Sequence, residues 1–69
     1  MKLHYYRETD SLYIELLSAF ASDSREVASG VVLDFAADGR LVGIDVDQAS
    51  TRVDLSTLEE QGLPARAGQ

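Results

Sequence analysis

The feature that most constrains this chain is a pair of strand-like runs joined by a short turn, over residues 30–46. Branched and aromatic residues fill both runs, and Ala37-Asp38-Gly39 lies between them. Gly39 suits the left-handed conformation that closes a short hairpin, and the Asp38 carboxylate can accept hydrogen bonds from nearby backbone N–H groups. The stretch therefore predicts an antiparallel β-hairpin, and this hairpin decides which side chains face the core.

Alternation of apolar and polar residues predicts four strands in all. The predicted strands are 2–7, 11–17, 25–36 and 41–47. Because short connections favour pairing between sequential neighbours, we expect a four-stranded antiparallel meander. Gly30 falls inside the third strand and predicts a bulge or bend there. Phe20, in the connection before that strand, is expected to dip into the core.

The periodicity changes after the fourth strand. Ser56-Thr57-Leu58-Glu59 fits a capping box, which predicts a short C-terminal helix, and Gly62 would end it. A helix packed on one face of the sheet would bury that face, as a small sheet in water requires. The predicted fold class is therefore α+β. Residues 1–63 form its single domain, and residues 64–69 form a disordered tail.

The hairpin alternation also sorts side chains between the two faces of the sheet. Its predicted inward set is Val31, Leu33, Phe35, Val42, Ile44 and Val46. The outward face carries the acids Glu15, Asp34, Asp45 and Asp47, with the single histidine, His4. Any binding function is therefore sought on the outward face.

The net charge and the length of the chain indicate which kind of binding partner to expect. Twelve acidic against six basic residues give a net charge of −6, which repels nucleic acid and anionic membrane surfaces and favours a basic protein as partner. A chain of 69 residues buries only about 60% of its unfolded surface, which also favours a homodimer. The absence of cysteine fits a reducing cytoplasm, where we expect the protein to lie.

Three segments together resemble the small bacterial domain-of-unknown-function family 2283. They are residues 10–16 (DSLYIEL), 26–35 (EVASGVVLDF) and 38–46 (DGRLVGIDV), followed by an Ala-Ser pair at Ala49-Ser50. The first turn, Arg7-Glu8-Thr9-Asp10, departs from the proline-containing turn that is common in the family. The resemblance implies a bacterial setting and an antitoxin-like binding partner, but it brings no catalytic residues.

Two interpretations of the outward face remain open. Amphipathic aromatic and aliphatic groups among the acids suit a protein interface, or else cross-strand pairs on a solvated sheet. The candidate interface residues are Tyr6, Tyr13, Leu17 and Val32. The alternative is a divalent-metal or small-ligand site using His4, Asp34, Asp45 and Asp47. With one histidine and no cysteine, no catalytic set can be assembled, so we expect neither an enzyme nor a cofactor.

Overall fold

The computed structural model describes residues 1–54, which form one antiparallel sheet. Its strands are β1 (Lys2–Tyr6), β2 (Ser11–Glu15), β3 (Asp23–Ala28), β4 (Val31–Phe35) and β5 (Leu41–Val46). The order across the sheet is β1-β2-β5-β4-β3. A single 3-10 turn, Ala49–Thr51, follows β5. The antiparallel sheet is thus as predicted, but it has five strands rather than four.

The fifth strand arises because the predicted strand 25–36 is two strands joined by a tight turn. Gly30 adopts the left-handed conformation, with φ of 79°, and the chain reverses there so that β3 pairs with β4. An irregularity between Glu26 and Ala28 interrupts this pairing. A glycine within a strand-like run therefore marked a full reversal rather than the predicted bend.

The simple meander is also wrong, because β5 lies between β2 and β4. Strands β3, β4 and β5 are sequential neighbours, whereas β2 is followed by a connection, residues 16–22, that crosses to the far edge of the sheet. Crossing three strand spacings requires roughly 14 Å, which seven residues reach easily. The resulting order is that of a Greek key, with β2 returned beside β5.

Hydrogen bonds show the path of this connection. Leu16 N and Leu17 N both donate to Val42 O of β5, at 2.7 and 3.0 Å, and Ser22 N donates to Phe35 O of β4 at 2.8 Å. The segment therefore runs along one end of the sheet with both of its ends held. Phe20, at its middle, is 96% exposed, so the prediction that it enters the core is wrong.

The β4–β5 hairpin is as predicted from the sequence. Gly39 has φ of 91°, and its N–H donates to Ala36 O at 2.9 Å. The Asp38 carboxylate accepts hydrogen bonds from Arg40 N at 3.1 Å and from Arg40 Nε at 2.7 Å. These contacts lower the pKa of Asp38, with the backbone hydrogen bond from Arg40 the largest cause.

The core lies toward the β1–β2–β5 side of the sheet. Its buried cluster is Leu3, Leu12, Val46 and Ala49, with Ile14, Ile44 and Val53 packed against it. Of the predicted inward set, Val46 belongs to this cluster, whereas Val31, Leu33 and Phe35 are only half-buried among the described residues. Val42 is buried at a bulge in β5, where Asp34 pairs with Gly43 and Phe35 with Leu41.

The predicted helix, which begins at the capping box 56–59 and ends at Gly62, lies outside the described residues, as does the predicted tail over 64–69. Within residues 1–54 the helical content is one 3-10 turn, so the α+β class is not confirmed. No helix in this part of the chain is long and apolar enough to cross a membrane.

Candidate functional site

The strand register gathers the predicted outward residues on one sheet face, which we call the acidic face. Tyr13 of β2 lies opposite His4 of β1 and Asp45 of β5, and Asp45 in turn lies opposite Val32 of β4. The acidic face is defined here as His4, Tyr13, Glu15, Val32, Asp34 and Asp45. The facing predicted from alternation is thus confirmed for these residues, because a period of two survives any change in strand order.

Tyr13 is the centre of the acidic face because its side chain spans a neighbouring strand. From β2 it passes over Gly43 of β5, and its hydroxyl donates a hydrogen bond to Asp34 Oδ2 of β4 at 3.1 Å. The other oxygen of Asp34 accepts a hydrogen bond from Ser24 Oγ of β3 at 2.7 Å. Four adjacent strands are therefore joined by one tyrosine and one carboxylate.

Gly43 is a site residue that sequence reasoning missed. A Cβ at this position would clash with Tyr13 Oη and would lie 2.9 Å from the backbone oxygen of Ile14. Glycine is therefore required for close approach rather than for its backbone angle. The signal was present in the sequence, since a glycine inside a strand often marks a place where another group comes close.

Negative charge is concentrated around Tyr13, at the middle of this face. Burial raises the pKa of Tyr13 to about 12, helped by the hydrogen bond to Asp34 and by the nearby charges of Asp34, Glu15 and Asp45. The pKa of Asp45 is also raised, first by partial burial and then by Asp34 and Asp47. Within residues 1–54, neither Asp34 nor Asp45 forms an ion pair with a basic side chain.

Replacing Asp34 with asparagine should lower the pKa of Tyr13 from about 12 part of the way to its ordinary value near 10. Burial, the largest cause of the shift, would remain, whereas the charge and the carboxylate acceptor would be lost. A raised folded-state pKa stabilises the fold below about pH 10, and this contribution disappears as the pH rises toward 12. Absorbance titration of tyrosinate measures the shift, with Tyr13→Phe as the assignment control. An unchanged pKa would contradict the role of Asp34.

The residues of the metal alternative are not brought together. His4 Nε2 lies 3.2 Å from Glu15 Oε1, but His4 is on β1 and Asp34 on β4, three strand spacings or roughly 14 Å apart. Asp47 follows the end of β5, where its side chain accepts a hydrogen bond from Gln48 N. Among the described residues, no three His, Asp or Glu side chains are grouped as metal ligands.

The four candidate interface residues are brought together only in part. Tyr13 and Val32 flank Asp45 at the middle of the acidic face. Tyr6 lies at the end of the edge strand β1, where it is 52% exposed, and Leu17 lies in the connection beyond β2. The set is therefore a centre with two outlying positions rather than one compact patch.

An open cleft of about 380 Å³ lies beside the acidic face. Tyr13 and Glu15 of β2, Val42 of β5 and residues 17–20 of the connection line it. The cleft could not be predicted from the sequence, because it exists only where the connection crosses the end of β5. The predicted interface residue Leu17 lines this cleft.

A second cluster missed by sequence reasoning fixes the first turn to the end of the sheet. Asp10, at φ of 54°, accepts hydrogen bonds from Tyr5 Oη at 2.6 Å, Ser50 Oγ at 2.7 Å and Ser50 N at 3.1 Å. These bonds lower the pKa of Asp10, with Tyr5 the largest cause. Ala49 N also donates to Asp10 O. The cluster therefore joins the first turn to the 3-10 turn that follows β5.

Comparison with known proteins gives one finding. The model of a family described as "Protein of unknown function (DUF2283)" matches residues 2–50, which is 49 of the 69 residues. The match contains all five strands, the acidic face and the Asp10 cluster. No curated protein and no solved structure gives a match.

Proposed function

We propose that this chain, which belongs to the DUF2283 family of proteins of unknown function, is a non-enzymatic interaction module that binds a basic protein through its acidic face. The observation that carries the proposal is the arrangement of Glu15, Asp34 and Asp45 around Tyr13. Asp34 is held in place by two neutral hydroxyl donors, and Glu15 is held by one histidine. Hydroxyl groups orient a carboxylate without neutralising it, so the face is preformed for cations.

The raised pKa of Asp45 supports this reading. It means that ionised Asp45 is disfavoured, first by partial burial and then by the nearby negative charges of Asp34 and Asp47. A cationic group placed among these acids would relieve that repulsion and would gain electrostatic energy on binding. Tyrosine at the centre adds a large contact surface with few rotatable bonds.

The same charge argues against self-association through this face. Two copies facing one another would bring like carboxylates together, which costs several kcal/mol in protein interfaces. A basic partner is therefore favoured over a homodimer here. An antitoxin-like inhibitor of a basic protein, working in the cytoplasm, would use the face in this way.

The test is capture of a partner from the native host at low salt, followed by measurement of its Kd. The double variant Asp34→Asn/Asp45→Asn should weaken binding at least tenfold, which corresponds to about 1.4 kcal/mol. Glu8→Gln/Asp23→Asn removes the same charge away from Tyr13 and should bind nearly as the wild type does. Binding should also weaken as salt is raised. Recovery of free monomer alone at low salt, or equal losses in both variants, would overturn the proposal.

A further inference from the structure

We propose that the cleft beside the acidic face receives an arginine side chain of the partner, an inference that rests on the proposed function and specifies its chemistry. The cleft combines two aromatic rings, Tyr13 and Phe20, with the aliphatic groups of Leu17 and Val42 and with one carboxylate, Glu15. An arginine offers the complementary set, which is a planar cation on an aliphatic stem. At about 380 Å³ the cleft has room for a side chain and its backbone.

Phe20 is the strongest single sign of a partner at this cleft. It is 96% exposed, although exposing a whole phenylalanine to water gains nothing for the fold. Its segment is nevertheless held at both ends, by hydrogen bonds to Val42 O and Phe35 O. The ring is therefore presented at the rim of the cleft, where a guanidinium can stack on it.

Glu15 supplies the charge at the base of this arrangement. Its side chain is about one quarter exposed, and His4 contacts only the Oε1 atom. A guanidinium entering the cleft can pair with Oε2 while it lies against the Tyr13 and Phe20 rings. Because Glu15 belongs to both the cleft and the acidic face, one basic segment can occupy both.

The probe is acetyl-arginine amide, added to the full ¹⁵N-labelled chain and followed by amide chemical shifts. We expect saturable shifts at residues 13–20 and 42, with a Kd on the order of millimolar for a single residue. Acetyl-citrulline amide has the same shape without the charge and should give no saturable shifts. Phe20→Ala and Glu15→Gln should each weaken binding by roughly fivefold or more, whereas Glu8→Gln should not.

Loss of folding cannot imitate this result. Phe20→Ala removes a side chain that is almost fully exposed, so its melting temperature should equal that of the wild type. Three results would each overturn the inference. They are amide shifts spread evenly over residues near all carboxylates, equal binding of acetyl-citrulline amide, and full binding of acetyl-arginine amide by Phe20→Ala. A partner that is lost with Asp34→Asn/Asp45→Asn but retained by Phe20→Ala would overturn the cleft inference and leave the proposed function standing. The opposite result is also distinguishable. If arginine binds in the cleft but the Asp34→Asn/Asp45→Asn variant still captures its partner fully, the proposed function is overturned and the cleft inference stands.

Discussion

Replacing Gly43 with alanine should destabilise the protein by about 2–3 kcal/mol and should disrupt the acidic face at the same time. The added methyl would clash with Tyr13 Oη and would lie 2.9 Å from the backbone oxygen of Ile14. The tyrosine can swing away, but it then loses its hydrogen bond to Asp34. The backbone contact can be relieved only by opening β2 from β5. Urea unfolding followed by circular dichroism measures the loss, and the absorbance titration of Tyr13 should show its pKa falling from about 12.

A double-mutant cycle with Tyr13→Ala separates the two contacts. In the Tyr13→Ala background the conflict with the ring is gone, so Gly43→Ala should cost less than in the wild type. Some cost should remain, because the Ile14 oxygen is still too close. Equal costs in both backgrounds would show that Tyr13 does not lie over Gly43. A cost near zero in the wild type would contradict the packing altogether.

The parts of this fold that follow a local rule could be predicted from sequence. The Asp38-Gly39 turn depends on one glycine angle and one short side chain, both readable from neighbouring residues. The facing of Tyr13, Asp34 and Asp45 depends on a period of two, which holds whatever strands lie alongside. These local rules were enough to place the acidic face.

The order of the strands could not be predicted, because it depends on a non-local choice. No pattern in residues 16–22 indicates that the chain crosses to the far edge of the sheet, rather than turning so that β3 pairs with β2. The crossing puts β5 beside β2, and Tyr13 can then reach Asp34 across Gly43. It also exposes Phe20 and creates the cleft. The exposure of Phe20, the cleft and the passage of Tyr13 over Gly43 therefore share this single cause.

The reversal at Gly30 was missed for a different reason. The residues on both sides of it, Val27 and Val31, favour strand, so composition cannot separate one bent strand from two paired ones. What decides it is the left-handed angle of Gly30, together with the Arg52 guanidinium, which donates to Ser29 O at 2.7 Å from beyond β5. This contact joins residues 23 positions apart and has no local signature in the sequence.

Leu12 is the residue on which the core most depends, and Leu12→Ala should cost about 2–5 kcal/mol. Leu12 is 2% exposed and lies opposite Val46 of the neighbouring strand β5. It belongs to one buried cluster with Leu3 and Ala49. A small domain holds only about 0.05–0.15 kcal/mol of stability per residue, so this loss is a large fraction of the total. Urea unfolding measured by circular dichroism should show a lower midpoint, and partial unfolding before denaturant is added would be consistent with the same cause.

Leu16→Ala is the matched control, because it makes the same chemical change four residues along the chain. Leu16 is 36% exposed and lies just beyond β2, so its replacement should lower the free energy of unfolding by only about 1 kcal/mol, clearly less than Leu12→Ala. The backbone hydrogen bond from Leu16 N to Val42 O is retained in this variant. If the two alanine variants lost equal stability, the core would not be centred on β1, β2 and β5. A large difference between the two variants would place the core on β1, β2 and β5, on the side of the sheet opposite Tyr13 and the acidic face.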